Sequence, residues 1–223
     1  MRRDYMPRTK AAIYQEKGLF SFSIDSMLLE AYAEAEGRLL DLGCGSGYLA
    51  MAAYEAGAES VSAVDVEPAA VELLKKSAAE NEMAIEVVCG DFRALSLEPF
   101  DTIWTNPPFY RRSLKNASEA VSKAKHLDAD MHWFREAARL LRPGGKLYAV
   151  VDAASFQDVV CDLRGGDLAL MHVRPVYWRR GEEARRILFS AKRGGGSFVH
   201  VDPPLYIYEG DHYTEEVASY YGR

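Results

Sequence analysis

The chain has 223 residues, 48% of them apolar and 27% charged, with 17 Gly and 9 Pro. That mixture excludes a disordered or collagen-like chain and supplies enough apolar side chains for the core of one domain. The net charge of −6 argues against a nucleic-acid partner until its distribution is read. Residues 1–10 hold four basic and one acidic side chain, residues 111–125 five and one, and residues 174–193 seven and two. The chain is therefore acidic with three local basic patches. The longest uncharged stretch, residues 42–54, contains three glycines and is too short for a membrane span. The basic first 20 residues lack a following apolar run, so no signal peptide is expected. Cys44, Cys89 and Cys161 sit at unrelated spacings, which suits a reducing cytoplasm and neither a disulfide nor a metal framework.

In chain order, residues 1–36 read as a leader with an apolar helix at Ile24–Tyr32. Arg38–Leu42 is a short apolar strand stopped by glycines, and residues 47–57 form an Ala-rich helix with Gly57 as its C-terminal signal. Ser60–Asp65 alternates like a strand, and Pro68 opens a helix with Val71, Leu74 and Ala78 on one stripe. Ile85–Cys89 and Phe100–Thr105 are two further strands. Residues 128–141 carry Met131, Phe134, Ala138 and Leu141 on one helical face and end at Arg142-Pro143-Gly144-Gly145. A strand over 146–151 and a helix over 155–163 follow. Residues 168–178 and 185–191 read as an antiparallel hairpin, and residues 198–209, with Pro203 and Pro204, as an edge or extended segment. Strand–helix alternation predicts an α/β fold: a mostly parallel seven-stranded sheet with helices on both faces and an antiparallel edge hairpin. Residues 1–223 are expected to form one domain, with the core at 37–223.

Asp41-Leu42-Gly43-Cys44-Gly45-Ser46-Gly47 lies where the first of these strands meets its helix. Glycines there let the backbone turn sharply and approach a ligand closely. A dinucleotide fold needs G-x-G-x-x-G, whereas position 48 is Tyr and the loop follows an acid. Asp41 suits a ligand bearing an ammonium and would repel a pyrophosphate. This pattern resembles the class I S-adenosylmethionine-dependent methyltransferases, and so a Rossmann-like fold is implied. The resemblance implies that Gly43, Gly45 and Gly47 pass under the methionine part of the cofactor. It also implies that Asp65 holds the ribose hydroxyls, that Val66 lies on the adenine, and that Asp91, with Phe92 beside it, accepts from the adenine amine.

The strand Phe100–Thr105 runs into Asn106-Pro107-Pro108-Phe109-Tyr110. Two prolines remove two N–H donors, so the turn offers carbonyls without competing donors. Asn106 adds a side-chain acceptor, and the Phe109 ring can stack on a flat substrate. Acceptors beside a π-face suit a planar –NH2 group whose lone pair is delocalised. Accepting both hydrogens, at Asn106 and the Pro107 carbonyl, favours a pyramidal nitrogen that can attack, so positioning does most of the catalysis. The motif resembles methyltransferases acting on adenine N6, cytosine N4, guanine N2 of ribosomal RNA, or a glutamine side-chain amide.

The ends of the chain narrow this. Phe20-Ser21-Phe22-Ser23-Ile24-Asp25-Ser26, the basic-Gly turn at Lys192-Arg193-Gly194-Gly195, Pro203-Pro204-Leu205 and Tyr213-Thr214-Glu215-Glu216 resemble the bacterial valine-tRNA adenine-N6 methyltransferases. That resemblance implies a tRNA substrate modified in the anticodon loop. Arg111, Arg112, Lys115, Lys123 and Lys125, then Arg179, Arg180 and the N-terminal arm, are the candidate RNA contacts. His126 reads as a surface residue, Trp133 and Trp178 as packing, and Cys44 as a small filler. A cytoplasmic monomer needing no metal is expected. The alternatives are guanine N2, a protein glutamine, or a non-catalytic RNA-binding or cofactor-sensing scaffold.

Overall fold

A computed structural model describes residues 1–16, 22–107 and 132–222. The leader holds a hairpin, β1 (Arg2–Tyr5) against β2 (Ala12–Gln15), with Arg2 opposite Gln15. Those residues carry no strand in the sequence reading, because what holds them is far away in the chain. The Asn81 side chain accepts from the Ala12 amide at 2.9 Å and donates to its carbonyl at 2.8 Å, and Ser77 Oγ accepts from the Tyr14 amide at 2.9 Å. Met6 and Ile13 are fully buried beneath this contact.

Helix α1 (Ile24–Tyr32) leads to β3 (Arg38–Leu42), α2 (Tyr48–Glu55), β4 (Ser60–Asp65), α3 (Pro68–Glu80), β5 (Ile85–Cys89) and β6 (Phe100–Thr105). After the undescribed segment come α4 (Trp133–Ala137), β7 (Leu141–Asp152), α5 (Phe156–Gly165), β8 (Leu168–Tyr177) and β9 (Ala184–Arg193). The seven strands β3–β9 are those expected. Two strands of two residues each, β10 (His200–Val201) and β11 (Leu205–Tyr206), extend the sheet along β8. The order is β10-β8-β9-β7-β6-β3-β4-β5. Neighbours from β5 to β7 are parallel, and β9 runs antiparallel between β7 and β8. The tail adds a small hairpin, β12 (Tyr208–Glu209) with β13 (His212–Tyr213), and α6 (Glu215–Tyr220).

Period-two alternation along the strands divides the core into two layers. Leu39, Trp104, Tyr148 and Val150 face the layer built with α1, α2 and the leader hairpin. Leu40, Leu42, Ile103, Leu147, Ala149 and Val151 face the layer built with α4 and α5, where Phe134, Val159 and Leu163 are buried. Burying each large apolar side chain contributes about 1.5–3 kcal/mol.

One boundary differs from expectation. The helix read over 128–141 is, in its described part, α4 followed by a 3₁₀ turn at Ala138–Leu140, and Leu141 already belongs to β7. Leu141 pairs with Phe100 and is fully buried, and the register breaks before Thr102 pairs with Lys146. Arg142-Pro143-Gly144-Gly145 is thus a bulge within the strand, where the sequence suggested the turn before it.

Candidate active site

Because β3, β4, β5 and β6 are parallel, their carboxyl ends share one edge of the sheet. The glycine loop, Asp65, Asp91 and Asn106 meet there. Gly43, Gly45 and Gly47 all have positive φ, at 74°, 52° and 88°. Gly47 also has no room for a side chain, since a Cβ would lie 2.2 Å from Leu74 Cδ1. The loop is fastened from below: the amides of Gly43 and Cys44 donate to the Val64 carbonyl at 2.9 and 3.1 Å.

Three acids act on this loop in different ways. Asp41 is fully buried; its Oδ2 accepts from the Ala50 amide at 2.8 Å, and its Oδ1 is buried with no partner among the described residues. Burial pushes its carboxyl up to about 8, against the lowering effect of the Ala50 hydrogen bond. Asp65 accepts from the Gly45 amide at 2.8 Å with one oxygen and from the Glu67 amide at 2.9 Å with the other. Each oxygen keeps a second lone pair for a hydroxyl donor. Asp91 is paired with Arg93 through both oxygens, at 2.8 Å each, and that pairing holds its carboxyl below the usual carboxylate range. Between these acids Val66 is 63% exposed, a free apolar surface for a flat ring. Phe92 instead is buried and packs edge-to-face on Trp133 at 4.9 Å, so it supports the site from behind. Cys44 is buried, and burial pushes its thiol up, as fits a filler and not a nucleophile.

At the end of β6, Thr105 joins the two motifs. Its hydroxyl donates to the Leu42 carbonyl at 2.8 Å and accepts from Trp133 Nε1 at 3.2 Å. Trp133 also lies over the glycine loop, since a Cβ on Gly43 would come within 3.1 Å of its ring. Sequence reasoning assigned Trp133 to packing, correctly, but missed Thr105; neither residue stands in a motif. Asn106 follows: its Nδ2 donates to Ser26 Oγ at 3.3 Å, while Oδ1 is buried and without a partner among the described residues. Pro107 is buried next to it. Pro108, Phe109, Arg111, Arg112, Lys115, Lys123, Lys125 and His126 lie outside the described residues.

Of the remaining basic candidates, Arg179 and Arg180 follow β8 directly, on the same edge of the sheet as Asn106. Arg179 lies over the Tyr208 ring at 5.2 Å and Arg180 over Tyr206 at 4.5 Å. They line an open groove of about 690 Å³ with Thr214 and Glu215. Within the leader, Arg2 pairs with Asp4, Arg3 with Glu80 and Arg8 with Glu30. Much of that patch's charge is therefore neutralised inside the molecule. Trp178, read as packing, lies beside the guanidinium groups of Arg185 and Arg186 at 5.8 Å.

The family model for the methyltransferase small domain matches residues 10–159, a span holding both the glycine loop and the Asn106 turn. This chain belongs to the methyltransferase small domain family. The family consists of S-adenosylmethionine-dependent methyltransferases, and the glycine loop and Asn106 lie at the carboxyl ends of neighbouring parallel strands of this chain. A tRNA1(Val) (adenine(37)-N6)-methyltransferase of Phocaeicola vulgatus is 27% identical over 86% of this chain and 85% of its own length. A predicted O-methyltransferase from Agrobacterium tumefaciens shares the fold with a TM-score of 0.66 and 22% identity, over 89% of this chain and 95% of the other. A T. thermophilus 16S rRNA N2 methyltransferase, in complex with AdoMet and guanosine, does so with a TM-score of 0.64 and 24% identity, over 86% and 50%. The residues of this chain fit the methyl donor. A buried acceptor at Asp41 with no partner among the described residues, a glycine loop at positive φ, lone pairs on Asp65 and the exposed Val66 match an ammonium, a close backbone approach, a ribose and a flat base. Among the described residues no group of His, Cys, Asp and Glu could hold a metal, and no helix is long and apolar enough to cross a membrane.

Proposed function

We propose that this methyltransferase acts on the exocyclic N6 amine of an adenine in a tRNA, within the anticodon loop, as a single cytoplasmic domain spanning residues 1–223 and working as a monomer. The observation that carries the reading is the Asn106 side chain. Its Nδ2 is engaged by Ser26, and its Oδ1 is buried with no donor among the described residues, an arrangement that costs free energy unless a ligand N–H completes it. Names borne by relatives similar over most of the chain support adenine as the base and tRNA as its carrier.

On this reading, Asn106 Oδ1 and the Pro107 carbonyl accept the two amine hydrogens and make the nitrogen pyramidal. Its lone pair is then localised and aimed in line. Phe109 stacks on the base, which is flipped from its own stack to reach the site. S-adenosylmethionine supplies, when bound, a methyl group on a sulfonium. Asp41, Gly43, Gly45, Gly47, Asp65, Val66 and Asp91 hold and orient that donor, with Phe92 buried behind them against Trp133. The nitrogen sheds one hydrogen as a proton to water, so no strong base is needed. Arg111, Arg112, Lys115, Lys123, Lys125, Arg179 and Arg180 hold the RNA backbone. Arg179 and Arg180 follow β8 on the edge of the sheet where β6 ends before Asn106, which supports their part of this reading.

Asn106→Ala tests the assignment. Cofactor affinity should stay within about twofold while turnover falls by about 10²-fold or more, as expected for a group that acts only in the transition state. Methyl transfer at a similar rate would remove Asn106 from the mechanism.

A further inference from the structure

The first turn of α1 enters the active site from eighty positions upstream. Ser26, the third residue of the helix, is 7% exposed, and Asn106 Nδ2 donates to its Oγ at 3.3 Å. One position earlier, Asp25 is also 7% exposed, and its Oδ2 accepts from Arg186 Nε at 3.1 Å. Arg186, on β9, reaches across to Asp152 Oδ2 at the end of β7, at 3.4 Å. An ion pair thus ties the turn to the sheet, and a hydroxyl ties it to the catalytic amide.

The asparagine amide turns about its last torsion over a broad range. A plane held at one nitrogen has two useful states, with Oδ1 or Nδ2 toward the substrate. When an –NH2 group is present, Nδ2 toward it sets donor against donor. The state with Oδ1 on the amine and Nδ2 on Ser26 sets a donor against an acceptor at both contacts. Without the serine hydroxyl the amide loses its anchor, and a misplacement of a fraction of an ångström already costs rate.

We infer that Ser26 is a positioning residue for methyl transfer: it holds the Asn106 amide so that Oδ1 meets the exocyclic amine, and the Arg186–Asp25 pair keeps Ser26 in place. The inference rests on the reading of Asn106 as the amine's acceptor.

The test is a kinetic cycle on the full chain with S-adenosylmethionine and tRNA. Ser26→Ala should lower kcat about tenfold or more, with the melting temperature, the cofactor Kd and the KM for tRNA nearly unchanged. Ser26→Thr, which keeps the hydroxyl, should recover kcat to within about threefold. In an Asn106→Ala background, Ser26→Ala should change the residual rate by less than about twofold, because the two residues act as one unit. An unchanged kcat in Ser26→Ala would overturn the inference, and so would a fall in cofactor affinity or melting temperature that matches the fall in kcat. Full activity of Asn106→Ala alone would instead overturn the reading beneath it.

Discussion

The Asp41 carboxylate accepts the amide of Ala50 at 2.8 Å, so the helix after the glycine loop is capped from the strand before it. Gly47, at the N-cap position of α2, has no side chain to do this. The glycines needed for the turn remove the usual local cap, and a carboxylate nine positions away replaces it. Its second oxygen stays buried and without a partner among the described residues.

This makes Asp41 a source of pH-dependent stability. Burial raises its carboxyl from the ordinary 3.8 to about 8 in the folded chain. The folded state therefore binds the proton more tightly than the unfolded one. The stabilisation is fully present below about pH 4 and is lost as pH rises through about 8. Asp41→Asn keeps an acceptor for Ala50 and removes the buried charge. Its melting temperature should exceed that of the parent chain at pH 8, with the gap closing toward pH 5, while the cofactor Kd rises about tenfold or more. An equal gap at both pH values would show that Asp41 does not titrate in this range.

Thr105, next to Asn106, ties the end of β6 to the strand before the glycine loop and to Trp133. Thr105→Val keeps the shape but leaves the Leu42 carbonyl and the Trp133 indole N–H without their partner. Each unsatisfied buried group costs about 1–3 kcal/mol, so a loss of about 2–6 kcal/mol is expected in urea unfolding. A loss below about 0.5 kcal/mol would mean that the hydroxyl does not stabilise the junction of the Leu42 carbonyl and Trp133.

The features legible in the sequence are those whose cause is local. The glycine loop could be read because positive φ demands glycine at 43, 45 and 47, and the strands because short apolar or alternating runs stand between turn residues. Asn106-Pro107 could be read because the motif carries its own chemistry. The β1–β2 hairpin could not: Arg2-Arg3-Asp4-Tyr5 has no apolar alternation, and its fastening comes from Asn81 and Ser77. Nor could the contact of Ser26 with Asn106, made by residues that only the packing of α1 on the sheet brings together. The bulge at Arg142-Pro143-Gly144-Gly145 was mistaken for a turn because proline and glycine mark both.

Arg179 and Arg180 give the RNA reading an electrostatic test. Each stacks on a tyrosine at the rim of the groove, where a guanidinium can meet a phosphate while its plane stays supported. Replacing each with Ala should weaken tRNA binding about 3–10-fold, evenly across RNA sequences. The slope of log K against log salt should shrink by about 0.7–1 per arginine removed. An unchanged slope would place the RNA elsewhere on the surface.

The most direct test is the identity of the methylated product. The purified chain and radiolabelled S-adenosylmethionine are incubated with tRNA, ribosomal RNA and protein fractions from cells lacking this gene, followed by nucleoside chromatography. The account predicts label in N6-methyladenosine from the tRNA fraction, lost in Asn106→Ala. Label in N2-methylguanosine from ribosomal RNA, in a protein glutamine, or in no fraction would contradict it.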